Sequence, residues 1–232
     1  MVRHVVWDWN GTLLDDFHLV VTAASAACTV AGRGAVTAEE YQACFTRPIE
    51  TSYERLLGRP LAEGEWDRLT ATFHESYLGS VATAELAPDA LEALAVVDGS
   101  GRTQSVLSMW SHDQLVPMVA GFGIEGRFSR VDGQPGFGGG HKEEHLRRHL
   151  DALAVRADEA LLIGDTVDDA HAAAAAGARC VLVSSGMHVP ADLAACDVPL
   201  ATSLLEALEL GGVEAAEARP SEGARSQQQH TA

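Results

Sequence analysis

Four short polar segments of the chain carry residue types that could do chemistry together: Asp8 with Asn10, Ser108, Lys142, and Asp165 with Asp169. Carboxylate and carbonyl oxygens are the ligands that Mg²⁺ prefers, and the bound ion keeps waters that a phosphate can replace. A hydroxyl and an ammonium group beside such an ion supply hydrogen bonds and positive charge for phosphoryl oxygens. If the fold brings the four segments into one crevice, they predict a magnesium site that handles a phosphorylated compound.

The overall charge excludes other classes of anionic partner. The 232 residues carry 16 basic and 33 acidic side chains, a formal net charge of −17, and Lys142 is the only lysine. A nucleic-acid backbone needs a basic footprint and an anionic membrane surface attracts polybasic segments, and this chain has neither. We expect a small phosphorylated metabolite as the partner, with no nucleic acid and no membrane, and a monomer or homodimer.

The cysteines and the N-terminal sequence predict a cytoplasmic protein. The four cysteines form no C-x-x-C pair and are widely scattered, at Cys28, Cys44, Cys180 and Cys196. No apolar run approaches the roughly 18 residues of a membrane span. The apolar triplet Val5–Trp7 is followed at once by Asp8, which leaves no room for the hydrophobic region of a signal peptide.

Apolar patterning predicts the elements that position these residues. Val5–Trp7 forms a short buried strand that ends at Asp8. The sequence from Asp15 to Ala87 is helical in character, with helices predicted over 19–30, 38–57 and 63–78. After Pro88, strands predicted over 104–108, 128–131, 160–163 and 180–184 alternate with helices predicted over 89–97, 112–120, 142–153, 168–176 and 203–210.

This alternation predicts an α/β fold, a Rossmann-like parallel sheet with helices on both faces. Such sheets bind ligands beyond the carboxyl ends of their strands, which is where Asp8, Ser108 and Asp165 fall. Residues 211–232 contain one valine and no other large apolar side chain. We therefore expect them to form a disordered tail.

The four segments, in this order, resemble the motifs of the haloacid dehalogenase superfamily, especially its phosphoglycolate-phosphatase-like branch. The matching segments are Val5–Thr12, Val106–Ser108, Lys142 and Gly164–Asp169. The helical sequence between the first two motifs lies where that superfamily places a C1-type helical cap. The resemblance implies a core of residues 1–14 and 88–210 with an inserted cap of residues 15–87.

The resemblance also implies a Mg²⁺-dependent phosphatase that uses Asp8 as its nucleophile. The matching aspartate of the superfamily attacks phosphorus and becomes an aspartyl phosphate, which divides the hydrolysis into two easier steps. Asp8, Asp165 and the main-chain carbonyl of Asn10 would hold Mg²⁺. Asp169 would lie behind them, orient metal-bound water and pair with Lys142.

The resemblance implies four further groups that contact the phosphoryl oxygens. These groups are the hydroxyl of Ser108, the ammonium of Lys142 and the main-chain amides near Gly11 and Thr12. In the superfamily these groups position and neutralise the transferred phosphoryl group.

The substrate beyond the phosphate is expected to meet a cap loop and the residues after the second motif. Arg47 could clamp a second anionic group, and an ion pair with Glu50 is an equally good interpretation. Met109 and Trp110 could wall the substrate space. For Trp110, packing beneath the cap is an alternative of similar weight.

Asn10 departs from the superfamily pattern, which has a second aspartate two residues after the nucleophile. That aspartate protonates the leaving group, whereas an amide cannot donate and recover a proton, and loss of such help costs about 10²–10⁴ in rate. The departure predicts a slow hydrolase, substrates whose leaving group needs no proton, or an acid supplied by Asp15 or Asp16. A second hypothesis is a non-hydrolytic phosphate-binding or regulatory protein.

Other motif-like stretches have simpler interpretations. Gly121–Gly126 matches a dinucleotide fingerprint but follows a helix, so its glycines are read as a helix stop. Gly138–Lys142 lacks the Ser or Thr of a nucleotide-binding loop. Three histidines share a predicted helix face that we expect to be solvated: His141, His145 and His149.

Overall fold

The fold is built around a parallel sheet. A computed structural model describes residues 1–136 and 140–214. Its strands are β1 (His4–Trp7), β2 (Leu14–Asp15), β3 (Glu85–Leu86), β4 (Thr103–Ser111), β5 (Val131–Gln134), β6 (Ala160–Gly164), β7 (Arg179–Val183) and β8 (Leu200–Ala201). Six of them pair in the order β5-β4-β1-β6-β7-β8, all parallel. The chain leaves β1 for neighbours on either side, so a crevice opens at the carboxyl end of β1.

Helices cover both faces of this sheet, which confirms the predicted α/β Rossmann-like fold. The helices on the sheet are α5 (Ala90–Gly99), α6 (His112–Gly121), α7 (Glu143–Leu153), α8 (Val167–Ala176) and α10 (Leu204–Leu210), and the other helices are α1 (Phe17–Val30), α2 (Ala38–Cys44), α3 (Ile49–Leu57), α4 (Glu65–Ser80) and α9 (Pro190–Ala194). No helix in the described part of the chain combines the length and apolar character needed to cross a membrane.

The side chains of the central strands alternate between two apolar layers. Leu161 and Ile163 pack with the helices α5, α6 and α10. Leu162, between them, packs with α7 and α8 in the other layer. Because successive residues of a strand point to opposite faces, a strand buried on both faces reads as a continuous apolar run, as the sequence predicted for this segment.

Helices α1–α4 form a unit inserted between β1 and β4. The chain enters and leaves this unit through β2 and β3, which pair antiparallel with Leu14 opposite Leu86. Ala87 N donates to Leu13 O at 2.9 Å beside this pair. The proposed cap boundaries at residues 15 and 87 fall at these paired strands, and we use the word cap for residues 15–87 below.

Two element predictions need correction, and short elements were missed. The helix predicted over 38–57 is two helices, because Pro48 lacks an N–H and disfavours a helical residue before it. Ser52 bridges the break, since its hydroxyl donates to Thr46 O and accepts from Thr46 N, both at 2.8 Å. The strand predicted over 128–131 is β5 at Val131–Gln134, and α9 and β8 are too short to leave a pattern.

The tail prediction is tested over its first four residues alone. Val213 is buried, and its N–H donates to Leu208 O at 2.8 Å, closing the end of α10. Residues 211–214 are therefore packed against the core. The remainder of the predicted tail, residues 215–232, lies outside the described residues.

A buried polar cluster lies toward the amino ends of β1 and β4, away from the crevice. The ring nitrogens of His4 lie 2.7 Å from Thr103 Oγ1 and from Ser105 Oγ. His149 lies 2.7 Å from the same Ser105 Oγ and 2.8 Å from Asp132 Oδ2. The expectation of a solvated histidine face was wrong for His149, because the sheet covers its side chain and supplies its partners.

This cluster predicts acid-dependent stability. Burial, and secondarily the neighbouring His149, lower the pKa of His4 from 6.5 to about 4. The unfolded chain therefore takes up a proton at higher pH than the folded chain. We expect His4 to cost up to about 3 kcal/mol of folding free energy as the pH falls from about 6.5 to about 4.

Urea unfolding across this pH range measures the effect. His4→Gln should flatten the loss of stability, whereas His171→Gln, at an exposed position on α8, should keep the wild-type slope. The charged groups around His4 and His149 are Asp132, Arg130 and Lys142, and both variants leave these three groups in place. An unchanged slope in His4→Gln would contradict the prediction.

Candidate active site

Three carboxylates converge at the carboxyl ends of β1 and β6. Asp8 follows β1, Asp165 follows β6, and Asp169 lies in the first turn of α8. Because β1 and β6 are adjacent parallel strands, their ends bring the three side chains together. One oxygen of each lies within 4.8 Å of the others, and all three residues are buried.

Lys142 completes the buried cluster from the start of α7. Its Nζ lies 2.9 Å from Asp8 Oδ1 and also contacts Asp169 Oδ1. Burial alone would lower the pKa of Lys142, but the carboxylates of Asp169 and Asp8 outweigh it and raise the pKa. The side chain is therefore a permanent cation, and its expected pairing with Asp169 is present.

The cluster holds more negative charge than Lys142 can balance. Burial raises the pKa of Asp8 to about 6, with the charge of Lys142 opposing the shift and that of Asp169 adding to it. Burial, followed by the charges of Asp8 and Asp169, raises the pKa of Asp165 well above its ordinary value. A divalent cation would relieve this repulsion, so the donor set fits the hard, oxygen-preferring Mg²⁺.

Asp169 and Asp165 are held by the main chain around them. Asp169 Oδ2 accepts from Thr166 N at 3.0 Å and from Thr166 Oγ1 at 2.5 Å, in a capping box that begins α8. Asp165 accepts from Met187 N at 2.8 Å and from Thr12 Oγ1 at 3.1 Å. These bonds fix both carboxylates before any ligand arrives.

Asn10 joins a hydrogen-bonded group under the cap. Its Nδ2 donates to Asp16 Oδ2 at 2.7 Å and to the Tyr77 hydroxyl at 2.8 Å, and Tyr77 in turn donates to Asp16 Oδ2 at 2.5 Å. Ser108 Oγ lies 3.4 Å from Asn10 Oδ1. Of the two alternative acids considered, Asp16 is buried in this group and Asp15 is exposed.

A cavity of about 150 Å³ lies between these residues and the cap. Asp8, Asn10 and Ser108 line its floor, and Met109 and Trp110 line its wall. Trp110 also packs against Tyr77 of the cap, with ring centroids 4.9 Å apart. The contact of Met109 and Trp110 with a substrate stays a prediction.

A family model for haloacid dehalogenase-like hydrolases matches residues 5–183. This chain belongs to that family. The comparison with curated proteins finds no match. The solved structures similar to this hydrolase share its fold.

Three solved structures illustrate the likeness. A protein of Haemophilus somnus described as a predicted phosphoglycolate phosphatase is 17% identical, with a TM-score of 0.75 over 90% of this chain and 98% of that chain. A haloacid dehalogenase-like hydrolase of Streptococcus pneumoniae is 20% identical, with a TM-score of 0.78 over 90% and 97%. CbbY of Rhodobacter sphaeroides, in complex with phosphate, is 21% identical, with a TM-score of 0.71 over 92% and 99%.

The main-chain amides of Gly11 and Thr12 are hydrogen-bonded inside the first-motif loop. Gly11 N donates to Leu14 O and to Asp16 Oδ1, and Thr12 N donates to Trp9 O. The Thr12 hydroxyl also supports Asp165. The contact of amides near these two residues with a phosphoryl group stays a prediction.

Arg47 reaches the crevice but is engaged there. Its Nε lies 3.6 Å from Asp168 Oδ2, and its Nη1 donates to Gly140 O at 3.1 Å. Asp168 also accepts from Lys142 N at 2.8 Å. The ion-pair partner of Arg47 is thus Asp168 across the crevice rather than Glu50, and its role as a substrate clamp stays a prediction.

Sequence reasoning missed residues that support the site from a distance. Asp168 stands inside the fourth motif, and its position beside Asp169 was the available signal. Tyr77 and Met187 lie far along the chain from their partners, so no local pattern could have found them. Both reach the site only because the cap and the β7–α9 loop fold over it.

Gly186 is a position where the hydrolase tolerates no side chain. A Cβ atom there would lie 1.7 Å from Asp165 Oδ2 and 2.3 Å from its Cγ. Gly186→Ala should displace Asp165 and weaken Mg²⁺ binding about 10- to 100-fold, as loss of a supporting group does at metal sites.

Calorimetric titration with Mg²⁺ tests this expectation. Gly79→Ala is the matched control, because a Cβ at Gly79 in α4 meets nothing within 4 Å. Equal Mg²⁺ affinities in Gly186→Ala and the wild type would show that Asp165 does not need its present position.

Proposed function

We propose that this hydrolase is a Mg²⁺-dependent phosphatase acting on a small phosphorylated metabolite, for which phosphoglycolate is the nearest named candidate. The observation that carries the proposal is the buried set of Asp8, Asp165, Asp169 and Lys142, of which Asp8 lines the floor of a cavity. Phosphoglycolate is chosen as the candidate because two similar solved structures, both under 25% identical to this chain, carry the name phosphoglycolate phosphatase. We also propose that the protein is cytoplasmic.

Asp8 is the proposed nucleophile, and its two oxygens differ. Oδ1 accepts from Trp9 N at 2.8 Å and pairs with Lys142 Nζ, so we assign the attack on phosphorus to Oδ2. The Asp8–phosphorus bond forms as the bond from phosphorus to the leaving oxygen breaks. Water then attacks phosphorus, which releases inorganic phosphate and restores the carboxylate.

The other residues position and neutralise the phosphoryl group. Ser108 offers its hydroxyl from the cavity floor, and Lys142 balances the charge of Asp8 and Asp169. Asp8, Asp165 and the main-chain carbonyl of Asn10 would hold Mg²⁺, with Asp169 behind them. When bound, the ion supplies positive charge for the phosphoryl oxygens.

A non-hydrolytic phosphate-binding protein is the second candidate, and Asn10 is the observation that favours it. Its amide is committed to Asp16 and Tyr77, so this position supplies no acid. The protein would then bind a phosphorylated compound without releasing phosphate.

A panel of metabolite phosphates, assayed for released phosphate with and without Mg²⁺, distinguishes the two. Phosphate release that needs Mg²⁺ and is absent in Asp8→Ala supports the phosphatase. Saturable binding by calorimetry, with no release above the Asp8→Ala background on any compound, would instead establish the binder.

A further inference from the structure

The cavity above Asp8 is walled mainly by aromatic rings. Four come from cap helices α3 and α4, and the other three from α2, the loop after it and β4: Tyr53, Trp66, Phe73 and Tyr77, with Tyr41, Phe45 and Trp110. Such walls bind flat apolar groups through ring contacts and burial. A volume of about 150 Å³ matches a cavity that holds one benzene ring.

The cavity offers little to a second anionic group. Arg47 is the one lysine or arginine among its described lining residues, and it is paired with Asp168. His74 also lines the wall, but burial lowers its pKa, so it is neutral near pH 7. A carboxylate or second phosphate on the substrate would have to break the Arg47–Asp168 pair to find a cation.

The floor of the cavity favours a particular leaving group. Asn10 supplies no proton there, and neither Asp15 nor the buried Asp16 behind it lines the cavity, so the leaving oxygen departs as an anion. A phenol has a pKa of about 10, the value of a tyrosine side chain, whereas water, which aliphatic alcohols resemble, has a pKa of about 15.7. A phenoxide therefore departs from phosphorus far more easily than an alkoxide.

The aromatic wall of the cavity and the absence of an acid at its floor are independent observations, and both favour an aryl phosphate ester as the substrate. We propose that the substrates of this hydrolase are phosphate monoesters of single-ring phenols, an inference that rests on the proposed phosphatase function. The bond from phosphorus to the aryl oxygen breaks with its electron pair on the phenoxide as the Asp8–phosphorus bond forms. The phenoxide then takes a proton from water, and hydrolysis of the aspartyl phosphate yields phosphate.

Three phosphate esters and one acyl phosphate test the two contributions separately. Phenyl phosphate has a ring and an acidic leaving group, benzyl phosphate has the ring alone, acetyl phosphate has the acidic leaving group alone, and phosphoglycolate has neither. We expect kcat/KM for phenyl phosphate to exceed that for acetyl phosphate and for benzyl phosphate at least about tenfold each, with phosphoglycolate the poorest.

A wall variant checks that the ring effect arises in the cavity. Phe73→Ala, and the milder Phe73→Leu, should lower the ratio of kcat/KM for phenyl phosphate over acetyl phosphate, about tenfold in the first. Phe128→Leu is the matched control, since Phe128 packs against the core away from the cavity. Its ratio should equal that of the wild type.

The outcomes separate this inference from the proposed function. Phosphoglycolate turned over as well as phenyl phosphate, or a ratio unmoved by both Phe73 variants, would overturn the aryl assignment while leaving the phosphatase intact. No Mg²⁺-dependent release of phosphate from any of the four compounds would refute the phosphatase, and the aryl assignment with it.

Discussion

Replacing Asn10 by Asp is expected to raise kcat/KM for benzyl phosphate and phosphoglycolate by about 10²–10⁴. The introduced carboxyl would face Asp16 Oδ2, which now lies 2.7 Å from the Asn10 amide. Two carboxyl groups at such a short distance share one proton, because the repulsion between two carboxylates prevents both from being ionised. Tyr77 donates to the same oxygen of Asp16 and would keep the pair in place. The variant would therefore hold an acid at the cavity floor.

The gain should depend on the leaving group. Phenyl phosphate and acetyl phosphate need no proton, so their hydrolysis should change little in Asn10→Asp. The double exchange Asn10→Asp with Asp16→Asn keeps the number of charges and should retain the gain. Intact-mass measurement of each preparation excludes deamidation of the Asn10–Gly11 sequence, which would create the same acid.

An unchanged kcat/KM in Asn10→Asp would also distinguish the two contributions. If Asn10→Asp leaves kcat/KM for benzyl phosphate unchanged while the protein stays folded and binds Mg²⁺, the missing acid does not limit turnover. The aryl preference would then rest on the cavity wall alone.

Lys142→Arg is expected to lower kcat at least about 100-fold, although it preserves the charge. Lys142 is fully enclosed, and its compact ammonium lies between Asp8 Oδ1 and Asp169 Oδ1. A planar guanidinium is larger and binds two oxygens in a fixed fork, so it would displace Asp8. A displacement of about 1 Å at the reacting atoms costs about 100-fold in rate.

Removing the charge should also affect folding. Lys142→Met would leave the buried carboxylates without their protein cation, a change that typically costs about 3–5 kcal/mol. We expect Mg²⁺ to recover part of this loss, measured as a rise in urea midpoint with added ion that exceeds the rise in the wild type.

Arg156→Lys provides the control for these variants. Arg156 is exposed and pairs with Asp158, so its exchange should change neither kcat nor stability measurably. Wild-type kinetics in Lys142→Arg would remove the argument that a compact ammonium is required.

Local patterns predicted the parts of this site that lie on single elements. The run before Asp8 and the run before Asp165 are apolar throughout, so both residues could be placed at the ends of buried strands. The capping box of Thr37 and Glu40 that begins α2 likewise lies within four residues of the chain. The order of the four motifs then led to the family that the comparison confirmed.

Long-range contacts were beyond such patterns. The bonds from Asn10 to Tyr77 and from Asp165 to Met187 N join residues 67 and 22 positions apart. His149 is buried because β4 and β5 lie beneath α7 and supply its hydrogen-bond partners. The sequence of α7 taken alone predicts a solvated face at this position.

The sequence by itself determined the alternation of strands and helices in the core, the strand ends that carry Asp8 and Asp165, and the absence of an acid at Asn10. It also determined that Lys142 is the one side chain that supplies an ammonium group. Only the tertiary structure decided which amides of the first-motif loop are already bonded, which acid lies beside Asn10, and that aromatic rings line the cavity wall. The physical reason is that strand and helix patterns reflect neighbours along the chain, whereas a cavity is lined by residues that meet only after the cap has folded over the sheet.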